Sequence, residues 1–166
     1  MKRWLELSVV AGVAIADQVT KLVVVREMDL YQSIPIVPGL LNLTHIRNSG
    51  VAFGLLNSAE FAFKPAVMAL VALVALVGVG VYATQLPTAH RWARAGLALI
   101  LGGAAGNLVD RARQGYVVDF VDAYWRGWHF WAFNVADAAI TVGVVILILD
   151  LLRPAAVAAP EGTRVS

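Results

Sequence analysis

The chain has 166 residues, of which 60% are hydrophobic and only 14% charged, and its mean hydropathy is +0.74. Soluble domains carry about 25% charged residues, so a water-soluble protein is excluded and a single membrane-embedded domain is expected. A formal charge of +2 with no long basic run excludes a nucleic-acid partner, and the absence of cysteine excludes disulfides, thiol catalysis, thiolate-bound metal and lipidation of the chain on cysteine.

The first apolar run spans about residues 4–25. Lys2, Arg3 and the Ala14-Ile15-Ala16 triplet mimic a removable signal peptide, but apolar residues continue to Val25 and Glu6 interrupts the early part, so a retained helix is expected. Next, apolar and polar residues alternate from Leu41 to Ile46, which predicts a strand. Asn48-Ser49-Gly50 reads as a turn, and Val51 to Leu56 as a short apolar piece at the interface. The second and third spans follow at about 65–84 and 92–109. Tyr116 to Trp125 is β-prone, Arg126-Gly127 is a turn signal and Trp128 to Phe133 is aromatic, which predicts a hairpin at headgroup level with Trp125, Trp128 and Trp131 in the aromatic belt. The fourth span covers about 133–152. Residues 154–166 read as a flexible tail behind a single domain, 1–153. Backbone in lipid must satisfy its own hydrogen bonds, so the spans are helices and the class is an all-α membrane bundle of four.

An even number of spans puts both termini on one side. The density of Lys and Arg in short connections predicts that this side is the cytoplasm, with 26–64 and 111–132 outside. Small residues at Gly102, Gly103 and Gly106, and at Ala139 and Gly143, predict close packing of the third and fourth helices.

Polar residues at membrane depth crowd toward the outer end. They are Asp17, Gln18 and Lys21 in the first span, Asn107, Asp110 and Arg111 ending the third, then Asp119, Asn134 and Asp137. An ionisable residue in or at the edge of a bilayer is costly and marks a functional site by default. Asp119 and Asp137 lie near the ends of neighbouring spans, where two carboxylates sharing one proton would make an aspartic-protease dyad. Asp17 and Lys21 are four apart and read as a mutually compensating pair on one helix face. Asp110-Arg111 reads as an interfacial pair or a helix end, though the planar fork of Arg111 also suits an oxyanion. Asn107 and Asn134 either bridge helices or hold an extended peptide. His45, His90 and His129 make no HExxH pattern, so a zinc protease lacks its ligands. Ser8 lies far along the span from Lys21, and nothing visibly activates Ser49. A small transporter or proton-conducting bundle is the alternative class; it requires charges spread through the bilayer depth.

Five stretches, in order from the first span to the fourth, resemble the lipoprotein signal peptidases, the type II signal peptidases of bacteria. They are Asp17-Gln18-Val19-Thr20-Lys21, Asn48-Ser49-Gly50-Val51-Ala52-Phe53, the segment from Gly102 to Arg111, Val117-Val118-Asp119-Phe120, and Phe133-Asn134-Val135-Ala136-Asp137. Ser49, Val51 and Thr20 stand where that pattern has Thr, Ala and Ser. The resemblance implies a four-helix bundle with a small outer β-sheet and an interfacial helix. It implies an aspartic endopeptidase of the cytoplasmic membrane, monomeric and without cofactor or metal. The substrate would be a prolipoprotein cut just before its diacylglyceryl cysteine, with membrane lipids as the other partner. By motif, Asp119 and Asp137 match the catalytic pair. Asn48, Asn107, Arg111 and Asn134 match positions around the substrate, and Asp17 and Lys21 match supporting positions.

Overall fold

The computed structural model describes residues 2–50, 61 and 63–152. The expected interfacial piece at Val51 to Leu56 and the tail at 154–166 lie outside the described residues. Within them the chain forms helices α1 (Arg3–Glu27), α2 (Lys64–Gln85), α3 (Arg91–Gln114) and α4 (Val135–Leu151). It also forms strands β1 (Ser33–Val37), β2 (Leu41–Asn48), β3 (Val117–Trp125) and β4 (Trp128–His129). The fold is mostly helical with a small antiparallel sheet. Among the described residues three helices, α1 to α3, are long and apolar enough to cross a membrane. The helix at the fourth expected span, α4, has 17 residues.

Helix α1 runs unbroken through Ala14 to Ala16, and Asp17 and Lys21 just beyond are buried. The segment thus contributes buried side chains to the fold. Helix α3 continues to Gln114 rather than stopping near Val109. Its stop signal is Gly115, whose φ of +79° is the left-handed conformation that closes helices; the Gly115 N–H donates to the Arg111 carbonyl at 3.1 Å. The charged residues near this end therefore sit on a helix, not in a loop.

Helix α3 is the hub and packs against α1, α2 and α4. A Cβ on Gly103 would collide with the Ala136 carbonyl of α4, and one on Gly102 would lie 2.8 Å from the Val13 side chain of α1. Gly96 and Gly143 face each other in the same way. The glycine stripe thus brings both α1 and α4 against α3 at close range, a wider role than the α3–α4 contact expected from sequence. At the other end of the bundle Arg94 is buried. Its Nε donates to Glu6 Oε1 at 2.7 Å and its Nη1 to the Leu86 carbonyl at the end of α2 at 2.6 Å. Glu6, which looked like an interruption of the first span, is the partner of a buried cation.

The sheet has the order β1-β2-β3-β4, antiparallel throughout. Strand β1 was not expected: five residues around Pro35 carry a weak strand signal, and proline is confined to edge strands such as this one. Between β2 and β3 the register jumps from Leu43↔Val121 to Ile46↔Asp119. Two residues, Thr44 and His45, face the single residue Phe120, which is a β-bulge. The bulge sets the register that puts Asn48 opposite Val117, on the strand that carries Asp119. The expected hairpin is present, with Arg126 and Gly127 at its tip at positive φ. A small core of Val24, Met28, Val118 and Phe120 joins the end of α1 to β3.

Candidate active site

Asp119 projects from the middle of β3 and Asp137 from the first turn of α4. The link between them is Asn134, the N-cap of α4. Its backbone N–H donates to Asp137 Oδ2 at 3.3 Å, and its Oδ1 accepts from the Asp137 N–H at 2.9 Å, a capping box. Its Nδ2 donates to Asp119 Oδ1 at 2.7 Å. One residue thus hydrogen-bonds to both carboxylates. The chain on either side is fixed: the Phe120 and Val121 N–H groups donate to the Phe133 carbonyl at 3.0 and 2.8 Å.

Two more amides complete the set. Asn48 Nδ2 donates to Asp119 Oδ2 at 3.0 Å, and Asn107 Nδ2 donates to Asp137 Oδ1 at 2.8 Å. Each of the four carboxylate oxygens therefore accepts one N–H. The direction of each amide is dictated from behind. A donor occupies every amide oxygen: the Gly50 N–H at Asn48 (3.0 Å), the Asp137 N–H at Asn134, and the Lys21 ammonium at Asn107 (2.8 Å). An amide whose oxygen is held by a donor must turn its NH2 the other way.

Lys21 anchors this arrangement. Its ammonium contacts Asp17 Oδ2, Asp110 Oδ2 and Asn107 Oδ1, each at 2.8 Å, so three acceptors meet its three protons. Asp17 is fully buried, and its Oδ1 accepts the Ala136 N–H at 2.9 Å. That supplies an anion and a hydrogen bond to the N-terminus of α4. Asp110 Oδ2 accepts the Val118 N–H at 3.2 Å, holding β3 next to Asp119. Gln18 Nε2 donates to Asp110 Oδ1 at 2.8 Å. Gly106 leaves the room this needs, because a Cβ there would lie 2.5 Å from Asp17 Oδ2.

The expected site residues thus converge. Asp17 and Lys21 pair as their spacing indicated. Asn48, Asn107, Asn134, Asp119 and Asp137 form one connected network with them. Arg111 joins at its edge: its Nη2 donates to the Gly50 carbonyl at 3.0 Å, and its Nη1 to the Asn107 carbonyl at 3.4 Å. Of the two readings of Asp110-Arg111, an interfacial pair or a helix end, the structure shows the helix end. Successive helical residues point in different directions, and Asp110 turns inward to Lys21 while Arg111 turns to the 48–50 turn. Asp110 and Gln18, which the sequence placed in the outer polar cluster without a site role, also belong to the network. The Asn-x-x-Asp spacing of the capping box was a readable signal that also went unused. Asp122 stands apart, with His129 Nδ1 and Asn42 Nδ2 each 3.0 Å away.

Electrostatically the site disfavours full ionisation. Burial, and then the neighbouring charge of Asp137, push the Asp119 carboxyl up to about 7; the hydrogen bonds from Asn48 and Asn134 and the charge of Lys21 pull the other way without cancelling this. A buried pair of carboxylates, each oxygen already holding a donor, can take up one proton and share it.

A family model described as signal peptidase (SPase) II matches residues 9–153. The lipoprotein signal peptidase of Geobacter sulfurreducens is 48% identical over 146 residues, covering 88% of this chain and 90% of that one. The lipoprotein signal peptidase of Pseudomonas aeruginosa is 41% identical over 151 residues, with 90% and 88% covered. Among solved structures, one bacterial membrane enzyme superposes with a TM-score of 0.79 at 31% identity, covering 89% of this chain and 87% of that one. A second gives 0.81 at 28% identity, with 91% and 94% covered. The match runs through all four helices and both carboxylates, and the chain belongs to the signal peptidase II family.

Proposed function

We propose that this protein is a membrane-embedded aspartic endopeptidase that removes signal peptides from diacylglyceryl-modified prolipoproteins, cutting before the lipidated cysteine. The observation that carries the catalytic assignment is Asn134, which hydrogen-bonds to both Asp119 and Asp137. Asp137 sits in the first turn of a helix, where the macrodipole favours negative charge, and acts as the base. Asp119, with its carboxyl raised to about 7, holds the proton. Asp137 removes a proton from water as the water oxygen attacks the scissile carbonyl carbon. Asp119 gives its proton to the carbonyl oxygen, and a gem-diol forms. On collapse Asp137 passes its proton to the leaving nitrogen, the C–N bond breaks, and Asp119 recovers a proton from the gem-diol hydroxyl. No charge need appear on the substrate oxygen, so proton placement carries the catalysis.

Asn48, Asn107, Arg111 and Asn134 surround the substrate in this reading, with Asp17 and Lys21 as support. The amide hydrogen bonds to the carboxylates support a second role for the three asparagines, orienting the dyad as well as lining the site. In the same reading α4 is a fourth crossing. Its 17 residues extend about 26 Å, and flanking residues make up the rest of the ~30 Å of hydrocarbon. Both termini then face the cytoplasm, and the sheet and dyad lie at the outer headgroups. There water reaches the carboxylates while the substrate's acyl chains remain in the bilayer beside the helices. The protein acts as a monomer and as one domain, 1–153. An ion-conducting bundle is the weaker reading. Among the described residues, the buried cations Lys21 and Arg94 are each held locally by carboxylates, at opposite ends of the bundle, and do not adjoin one another.

The test is cleavage of a synthetic prolipoprotein peptide bearing a diacylglyceryl cysteine, with products identified by mass. Wild-type protein should release a fragment whose new N-terminus is that cysteine, and the same peptide without lipid should be a poor substrate. Failure to cut the lipidated peptide, or equal turnover by Asp119→Asn, would overturn the proposal.

A further inference from the structure

Lys64 occupies a position that physical chemistry disfavours. It is the first residue of α2, where the helix dipole repels a cation, and it is buried. The residue before it, Phe63, has a φ of +62°, a left-handed conformation that a bulky side chain enters at a cost. Pro65, the next residue, lies against Gly115: a Cβ there would be 3.1 Å from Pro65 Cβ. The start of α2 is therefore docked on the end of α3, and the Lys64 ammonium is directed across to β2's exit, where it donates to Ser49 Oγ at 3.1 Å.

Ser49 is the middle residue of the turn that aims Asn48. The Gly50 N–H fixes the Asn48 amide, Arg111 of α3 holds the Gly50 carbonyl, and Lys64 of α2 holds the Ser49 hydroxyl. Two cations from two helices thus hold the two residues that follow Asn48, and Asn48 in turn donates to Asp119 Oδ2. We infer that Lys64 is a positioning residue of the reaction, acting through the Ser49 hydroxyl on Asn48 and so on Asp119. The inference rests on the proposed peptidase reading. Lys64 does not touch the reacting atoms. Its contribution is to keep the Asn48 amide in place while substrate enters and leaves.

The experiment is a double-mutant cycle on the lipidated peptide. Lys64→Met keeps the aliphatic stem and removes the ammonium. It should lower kcat roughly tenfold, the loss of one charged hydrogen bond, with KM little changed. In an Asn48→Ala background it should cost nothing further, because the residue it acts through is gone. Lys64→Arg should recover most of the rate. Should Lys64→Met fail to accumulate as folded protein, Ser49→Ala removes the acceptor instead and should behave the same way. Full turnover by folded Lys64→Met or Ser49→Ala, or losses that multiply with Asn48→Ala, would overturn the inference and leave the peptidase reading standing. Wild-type protein inert on the lipidated peptide would overturn both.

Discussion

Asp119→Asn separates catalysis from stability, and pH shows which is which. Burial and the charge of Asp137 push the Asp119 carboxyl up to about 7, which penalises its ionised form by roughly 4 kcal/mol. The sign follows from the direction. A raised folded-state pKa means that the stabilisation is complete at acid pH, below about 4, and is lost as pH rises through 7. Wild-type protein therefore carries the whole penalty in mild alkali. Asparagine cannot ionise and escapes it. Asparagine also brings its own cost: both Asp119 oxygens accept from an amide NH2, so one face of the new side chain sets donor against donor. An unsatisfied buried donor costs about 1–3 kcal/mol at any pH. The variant should be less stable than wild type near pH 4.5, and the difference should move in its favour by about 3 kcal/mol as pH approaches 8.5. Thermal unfolding of both purified proteins in the same detergent across that range measures it, and cleavage by the variant should be absent throughout. A stability difference that does not change with pH would refute the electrostatic account of Asp119.

Wild-type turnover should decline as pH rises through about 7, because the proton that Asp119 must donate is lost there; a rate still climbing at pH 9 on the lipidated peptide would contradict the assignment of acid and base. Asn134→Ala removes a helix cap worth about 1 kcal/mol as well as a donor to Asp119, so it should lower the melting temperature modestly and turnover by roughly ten- to a hundredfold. Lys21→Met strands two buried carboxylates and should cost about 3–5 kcal/mol, with much of that recovered when Asp17→Asn and Asp110→Asn are added, as read by thermal unfolding. A reporter joined after Ser166 should be active only in the cytoplasm, and activity outside would contradict the proposed four-crossing topology.

Much of this architecture was legible because lipid imposes simple rules. Long apolar runs located the helices, the alternation at Leu41 to Ile46 located β2, and the i,i+4 spacing of Asp17 and Lys21 gave their pairing. What escaped was of two kinds. Some depends on contacts between residues far apart in the chain: nothing in the sequence near Lys21 says that Asp110 is its second partner, or that Glu6 answers Arg94. Some depends on local signals that are weak or were outweighed. Strand β1 is short and holds a proline, and charged residues after Val109 suggested an end to α3 when Gly115 was the true stop. The convergence of the asparagines on the dyad came from family resemblance; the direction of each amide needed coordinates.

The stretch joining the two aspartates has consequences for how such a chain can change in length over evolution. Asp119 is itself paired in the sheet, opposite Ile46, and Phe133 is bonded back onto Phe120 and Val121 immediately before the cap of α4. An inserted residue at either end would rotate or displace one carboxylate relative to the other. The hairpin tip at Arg126 and Gly127 is different, since Trp125 and Trp128 beside it are exposed and β4 is only two residues long. Length variation among relatives, and grafted tags or labels, should therefore be accommodated at that tip and selected against on its flanks.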